Sequence, residues 1–570
     1  MTVLSGGFSA HVGAIALTSR DPLRPVLIAI VLTALGRALL RGPDFRIALR
    51  RVTGDRDRAP ARIACAAAAA ALIVSVAWNT RAVGGSDSSC YVLQAEAFAD
   101  GELTLTDPLS RSLPGSTSAM FAPAGFVPSR IAPFAAVPIC GPGLALIMSA
   151  VSVVGRGAVF LVVPAFAAAA VWITFVLGRR LDDSVTGATA AVLIATSPIF
   201  LYQSVQPMSD VPAAALWLAA LALSGAREDV PRRQIAAGIC ASAAVLVRPN
   251  IALILLPLLF LLGGRAYPAE AREARWRVWL RFGLGAVPGL AVMAWLNATR
   301  YGSALASGYG STDVLFSVAH VWPNLERYAR WLFETETPFI AAAVLAPWWA
   351  ARCRRASARL VIVLVSAVVL TLATYLAYTV FDDWWYTRFL LPALPPLFIL
   401  SVAVCLEPAR RHLRGRAFAA IVIGVGLGAW HVHIARTRSV FDLQGLESRF
   451  AVTGKYVARA LPANAVVLAV QQSGSVRYYA GRSTIAWDAT PADALDRTIE
   501  ALGRAGRPVF IILEDEEVPR FRARFVAERL GGLDWPPHAE VHAAVRVHVY
   551  DAADRDRHLG GGRVSTEHVR

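Results

Sequence analysis

Apolar runs long enough to cross a lipid bilayer recur between about Val26 and His433, and this limits the possible folds more than any other feature. A spanning helix needs about 20 mostly apolar residues, because the hydrocarbon layer is about 30 Å thick. Candidate spans fall near 24–41, 62–80, 158–178, 185–203, 210–225, 235–248, 251–264, 281–297, 338–351, 359–379, 389–406 and 417–434. Charged residues are only 17% of the chain, against about a quarter in ordinary soluble domains. The expected fold is therefore a polytopic α-helical membrane protein of about 12–13 transmembrane helices. That class excludes a cytosolic enzyme and a fibrous chain.

Orientation follows from where arginine collects, since cytoplasmic loops carry the excess of positive charge. The loops 41–62, 178–184, 225–234, 264–281, 351–359 and 407–416 hold 25 arginines. The intervening loops 81–138, 203–210, 248–250, 298–337 and 380–389 hold 8. The first set is expected inside and the second outside. The same distribution accounts for the net charge of +16 and argues against a nucleic-acid partner, because the arginines lie in short loops between apolar segments. Keeping both 41–62 and 178–184 inside leaves 139–154 without a crossing. Its opening Pro138-Ile139-Cys140-Gly141-Pro142-Gly143 would interrupt a helix, so it reads as re-entrant or interfacial. The stretch Met1 to Ser19 lacks the basic start and compact apolar core of a cleavable signal peptide.

Past about residue 435 the composition changes. Ala465–Val470 and Val509–Leu513 are short apolar runs suited to buried strands, and Val541–Tyr550 alternates like a half-buried edge strand. Helical patterns lie over 491–505 and 515–530. The expected organisation is a multi-spanning body over 1–434 with outward loops 81–138, 298–337 and 380–389. A C-terminal α/β extracytoplasmic domain follows over 435–553, then a polar, glycine-containing tail over 554–570 expected to be disordered. Six cysteines do not make a disulfide framework; Cys90 and Cys140 could meet on the outer face, or simply be two small apolar side chains.

The residues able to do chemistry sit in the outward loops. The first loop reads Gly84-Gly85-Ser86-Asp87-Ser88-Ser89-Cys90-Tyr91, which places the Asp87 carboxylate at the membrane surface beside a flexible turn. A second acidic site, Gln206-Pro207-Met208-Ser209-Asp210-Val211-Pro212, opens the next inward helix, where Ser209 or Asp210 also suits a helix cap. Arg248-Pro249-Asn250 leaves an arginine at the outer boundary. Asp382-Asp383-Trp384-Trp385-Tyr386-Thr387-Arg388-Phe389-Leu390-Leu391-Pro392 places Arg388 at the outer end of a span, against the general charge trend. Its tryptophans also suit an interfacial belt. An arginine beside a tyrosine can hold a lipid phosphate through its planar fork of donors. His431 and His433 fall on different faces of one helix and do not form a paired metal site.

These motifs resemble those of the GT-C class of integral-membrane glycosyltransferases, and are similar to the aminoarabinose transferases and protein O-mannosyltransferases. The matching elements are Asp87 in the first outward loop, Ser209-Asp210 at a later outward turn, Arg248-Pro249, and Tyr386 through Pro392; the soluble domain after the last helix also matches. The resemblance implies transfer of a sugar from a polyprenyl-phosphate donor to an envelope acceptor (a lipid, polysaccharide or protein) at the outer face of a bacterial inner membrane. Asp87 is then the base and Asp210 orients a substrate, with Tyr91, Arg248, Tyr386 and Arg388 binding the donor. A single displacement would invert the anomeric centre. Where that family often carries an acidic pair, this chain has Ser86-Asp87-Ser88. No strong metal-ligand cluster is evident, although Asp87 and Asp210 could share a divalent cation. The rival class is a transporter or flippase for a lipid-linked precursor, which would place its ionisable residues and broken helices near midspan.

Overall fold

A computed structural model of the chain describes residues 8–12, 15–19, 58–224, 230–263, 272–310, 312–353 and 357–569. The expected span over 24–41 lies outside these residues. Near the start, β1 (Phe8–Val12) and β2 (Ile15–Ser19) pair antiparallel. The alanine-rich α1 (Arg58–Ala77) then forms a membrane-length helix.

The chain next builds a cap on one end of the helical body. It consists of α2 (Asp87–Ala99), a small sheet of β3 (Leu105–Thr106), β4 (Phe126–Pro128) and β5 (Ala135–Pro138), and α3 (Pro142–Ser152). At about 1.5 Å per residue, α3 reaches about 16 Å and is too short to cross a bilayer. A disulfide joins Cys90 on α2 to Cys140 just before α3.

The body continues through α4 (Arg156–Leu181), α5 (Ser184–Thr196), α6 (Pro198–Ser204), α7 (Asp210–Ser224), α8 (Pro231–Val247), α9 (Ile251–Leu262) and α10 (Arg272–Tyr301). After it come α11 (Val321–Glu336), α12 (Ala358–Leu376), α13 (Trp384–Leu406) and α14 (Leu413–Thr437). Among the described residues, six helices are long and apolar enough to cross a membrane. They are α1, α4, α12 and α13, with Trp276–Tyr301 of α10 and Arg414–Thr437 of α14.

The expected span over 185–203 is not one straight helix: it is two helices, α5 and α6, that together are long and apolar enough to cross and are bent by 62°. Pro198 has no N–H to continue the α5 ladder, and Ser197 Oγ starts the new helix by accepting from the amide of Phe200. The expected span 338–351 is likewise two pieces, a 3₁₀ segment Pro338–Leu345 and a short helix Ala346–Arg352. Small residues allow the body to pack closely, as expected where helices meet without a hydrophobic driving force. A Cβ on Gly238 of α8 would lie 2.0 Å from the carbonyl of Phe282 on α10.

The far end of the body gathers charge. Arg416 binds Asp182 at 2.6 Å and Asp183 at 2.8 Å, and Arg410 binds Asp182 at 2.6 Å. Two of the arginine-rich loops, 178–184 and 407–416, therefore meet at one end, opposite the cap.

The α/β unit is entered through α15 (Ser448–Ala460). Its six-stranded sheet is built from β6 (Val466–Leu468), β7 (Ser483–Ile485), β8 (Val509–Glu514), β9 (Ala539–His542), β10 (Arg546–Asp551) and β11 (Glu567–Val569), ordered β11-β9-β10-β8-β6-β7. Strands β7, β6 and β8 run parallel, and the apolar runs of β6 and β8 suit strands buried on both faces. Helices α16 (Leu495–Arg504) and α17 (Glu517–Arg524) lie within the expected helical stretches. Two expectations are corrected. Val541–Tyr550 is not one edge strand but a hairpin, and β10 sits inside the sheet between β9 and β8. Nor is 554–570 a disordered tail. Asp554–Leu559 forms a helix, α18, and β11 adds parallel to β9, because its backbone can complete the open edge of that strand.

Candidate active site

The Asp87 turn is made by two glycines and held from outside. Gly85 has φ +60°, a conformation that L side chains rarely adopt, and a Cβ on Gly84 would lie 2.0 Å from the ring of Phe450. The amide of Gly85 donates to the carbonyl of Gln471 at 3.3 Å. Ser89 Oγ donates to the carbonyl of Ala124 at 2.7 Å, and the amide of Ala124 donates to Ser473 Oγ at 3.0 Å. A Cβ on Gly474 would lie 2.3 Å from that of Ser89. The segment 471–475 after β6 is thus wedged against the first turn of α2, so the α/β unit supports the very turn that presents Asp87.

The separated sequence motifs meet at one site on the cap side of the helical body. Arg388 Nη1 lies 2.9 Å from Asp87 Oδ2. Arg248 binds Asp210 directly. Tyr91 Oη donates to Ser209 Oγ at 2.7 Å, which ties α2 to the start of α7. The two pairs communicate: Arg388 is close enough to interact with Asp210 and Arg248 as well as with Asp87. Both guanidinium groups approach Phe389, whose ring centroid is 5.3 Å from Cζ of Arg248 and 5.2 Å from Cζ of Arg388. Tyr386 flanks Arg388 at 5.5 Å from centroid to Cζ.

The pairs differ in exposure, and this separates their chemistry. The Asp210 side chain is 2% exposed and that of Asp87 is 32% exposed. A carboxylate that exchanges a proton with a substrate must be reachable, which Asp87 is. Asp210, sealed against Arg248, is fixed in place. Burial and the Asp87 charge push the Tyr91 phenol above its ordinary value, so it remains a neutral donor at physiological pH. Arg388 retains an unused donor: its Nε is buried and has no hydrogen-bond partner. A guanidinium with an empty donor position beside a second guanidinium suits a bidentate anion such as a phosphate.

Some of the site was not legible in the chain. Tyr375 Oη accepts from Arg248 Nε at 3.2 Å, and its ring stacks on Phe389 at 5.0 Å. An apolar span rich in valine and leucine gave no reason to select it. Tyr309, by contrast, lies in the outward loop 298–337 that the sequence offers as a cover for the site, and it comes close enough to Tyr91 and Asp87 for their charges to act on its phenol. That loop rests on the cap, where a Cβ on Gly308 would lie 2.6 Å from Cα of Ile139, and at the end of α10 Tyr301 Oη donates to the carbonyl of Pro138 at 2.5 Å. Asp382 lies outside the site, 2.6 Å from Arg327. A second polar pair lies in the body, where fully buried Glu336 and His431 approach to 3.5 Å and Glu336 accepts from Ser197 Oγ at 2.8 Å beside the α5–α6 bend.

The site fits a divalent cation poorly. Both carboxylates are already engaged by arginines. The groups of three potential metal ligands among the described residues lie in the α/β unit.

No protein-family model matches the chain, and no curated protein matches it. Solved structures do. ArnT from Cupriavidus metallidurans bound to undecaprenyl phosphate aligns with a TM-score of 0.52 at 13% identity, over 85% of this chain and 98% of that one. Its apo state aligns with the same score and identity over 86% and 98%. The Archaeoglobus fulgidus oligosaccharyltransferase in complex with Zn and sulfate reaches 0.51 at 13% identity, over 80% of this chain and 69% of that one. At such identity the likeness is one of fold: the chain has a GT-C-like fold.

Proposed function

We propose that the protein is a glycosyltransferase that moves a sugar from a polyprenyl-phosphate donor to an envelope acceptor, at the extracytoplasmic face of a bacterial plasma membrane. The observation that carries this reading is the convergence of two aspartate–arginine pairs around Phe389. The undecaprenyl phosphate held by the similar ArnT structure supports the choice of donor. So does elementary partitioning: an isoprenoid tail stays in hydrocarbon, so its sugar–phosphate head can be processed only at the membrane surface. Two observations favour the outer face. A disulfide joins Cys90 to Cys140 in the cap, and such bonds persist in oxidising compartments. Basic loops gather at the opposite end.

In the mechanism, the donor phosphate competes with Asp87 for the Nη1 face of Arg388. This exchange frees Asp87 as the phosphate arrives. The acceptor hydroxyl attacks the anomeric carbon while Asp87 takes its proton, and the bond from that carbon to the phosphate oxygen breaks. The phosphate leaves with the bonding pair, its added charge met by Arg388 and Arg248. One displacement inverts the anomeric centre. Asp210, fixed by Arg248, accepts hydrogen bonds from a sugar hydroxyl and orients the ring, and Tyr91 and Tyr386 border the donor. No step requires a metal.

Lipid analysis of a deletion strain tests the reading. A polyprenyl-phosphate sugar should accumulate and an envelope component should lose its modification, with both reversed by the wild-type chain. Absence of both changes refutes it. One observation favours transport of a lipid-linked precursor instead: the buried Glu336–His431 pair beside a broken helix. If transport is the function, Glu336→Gln abolishes it and Asp87→Asn leaves it intact.

A further inference from the structure

The outer edge of the α/β sheet brings together residues that sugar transfer does not use. Glu540 and His542 are two apart on β9 and so point to the same face. The register places His568 of β11 and His548 of β10 opposite Glu540 on either side. His542 Nε2 and His568 Nδ1 are 2.9 Å apart, and each lies 3.6 Å from Glu540 Oε2. A point equidistant from the three corners of that triangle is about 2.0 Å from each, close to the bond length of zinc to imidazole nitrogen or carboxylate oxygen. An ion slightly above the plane meets all three donors and keeps a fourth, solvent-facing position.

The surroundings favour an ion over a plain histidine pair. Two ring nitrogens and a carboxylate oxygen converge on one point, where a single shared proton satisfies only one of the contacts. The other oxygen of Glu540 lies 3.3 Å from His548 Nδ1, and His548 Nε2 lies 2.7 Å from Asp515 Oδ1. This outer chain orients the carboxylate, as the partners of metal-ligating groups do. The donor set, two imidazoles and one carboxylate, matches first-row divalent ions rather than calcium or magnesium. We propose that Glu540, His542 and His568 bind one zinc-class divalent ion that staples β11 to β9. The proposal does not depend on the reaction at Asp87.

The test uses the full chain in detergent, purified without a histidine tag, stripped with chelator and titrated calorimetrically with zinc chloride. One ion per chain should bind at micromolar concentration or tighter. Cobalt(II) should show the intense visible bands of low-coordinate geometry. His542→Ala and His568→Ala replace exposed side chains and should each weaken binding by about a hundredfold or more. His538→Ala, in the neighbouring His538–Asp551–Asp554 group, should leave it unchanged. Hydrogen exchange should slow across β11 when zinc is added, and not in His568→Ala. Failure to bind one ion per chain overturns the proposal, as does binding that survives both exposed substitutions or binding lost through His538→Ala. If either alanine variant misfolds, His542→Gln and His568→Gln read the same loss.

Discussion

Replacing Asp87 with asparagine separates catalysis from folding by the size of two effects. Asparagine keeps the shape of the side chain and an oxygen for Arg388 Nη1, which sits 2.9 Å away. The side chains of this ion pair are 16% and 32% exposed, so solvent screens much of their attraction, and losing it costs at most about 1 kcal/mol of stability. Losing a general base costs about 10²–10⁴-fold in rate. At 1.36 kcal/mol per tenfold, that is about 3–5 kcal/mol of transition-state stabilisation. The variant should therefore insert and fold with a melting temperature within a few degrees of wild type, yet transfer at 1% of the wild-type rate or less, by this estimate. The assay is complementation of the deletion strain, with the polyprenyl-phosphate sugar quantified by mass spectrometry, beside thermal unfolding of the purified variant. Near-normal turnover of the lipid in a well-expressed Asp87→Asn strain would refute the assignment of the base. Loss of transfer accompanied by collapse of the melting transition would show that Asp87 serves the fold instead.

Three further outcomes follow from the geometry. Gly84→Ala forces a methyl group into the ring of Phe450, an overpacking cost of about 1–3 kcal/mol, and should reduce transfer; Phe450→Ala in the same chain should restore part of it, which a strain confined to the glycine backbone would not allow. The Glu517 carboxyl is raised from its ordinary 4.5 to about 7, chiefly by burial, although the amides of Glu514 and Gln471 donate to it. Its folded form holds the proton more tightly than the unfolded form, so its contribution is fully present below about pH 4.5 and is lost as pH rises through about 7. Unfolding of the α/β unit should show a stability loss of up to about 3 kcal/mol over that window, and Glu517→Gln should flatten the slope. Cys90→Ser should cost about 4 kcal/mol in the chain-entropy account, since the bridge spans 50 residues; equal denaturation midpoints with and without reductant would contradict it.

The outcome at each motif shows what kind of information a chain carries locally. Asp87, Asp210, Arg248 and Arg388 stood out because each breaks a local rule, an ionisable group at an apolar boundary on the arginine-poor side. Tyr375 broke no rule: a tyrosine near the end of a span is ordinary, and its bond to Arg248 depends on a residue 127 positions away. Glu336 gave no local signal, and His431 was weighed only against His433, because their pairing depends on the fold: beside the bend at Pro198, Ser197 Oγ donates to Glu336 while Thr196 Oγ1 meets His431. The hairpin over 539–551 was misread as one edge strand because period-2 alternation continues through a short turn and does not reveal where the chain reverses.

Hydropathy and the spread of arginine were enough to specify a helical membrane body, the end of it that carries the acidic motifs, and a separate α/β unit. Those properties rest on transfer of side chains between water and hydrocarbon, which is additive along a segment and needs no knowledge of neighbours. Which carboxylate meets which arginine, how the segment 471–475 wedges under Asp87, and how β11 reaches β9 were decided only by tertiary packing. Such pairings join residues up to several hundred positions apart, and their energies depend on angstrom-scale distances that no local pattern encodes.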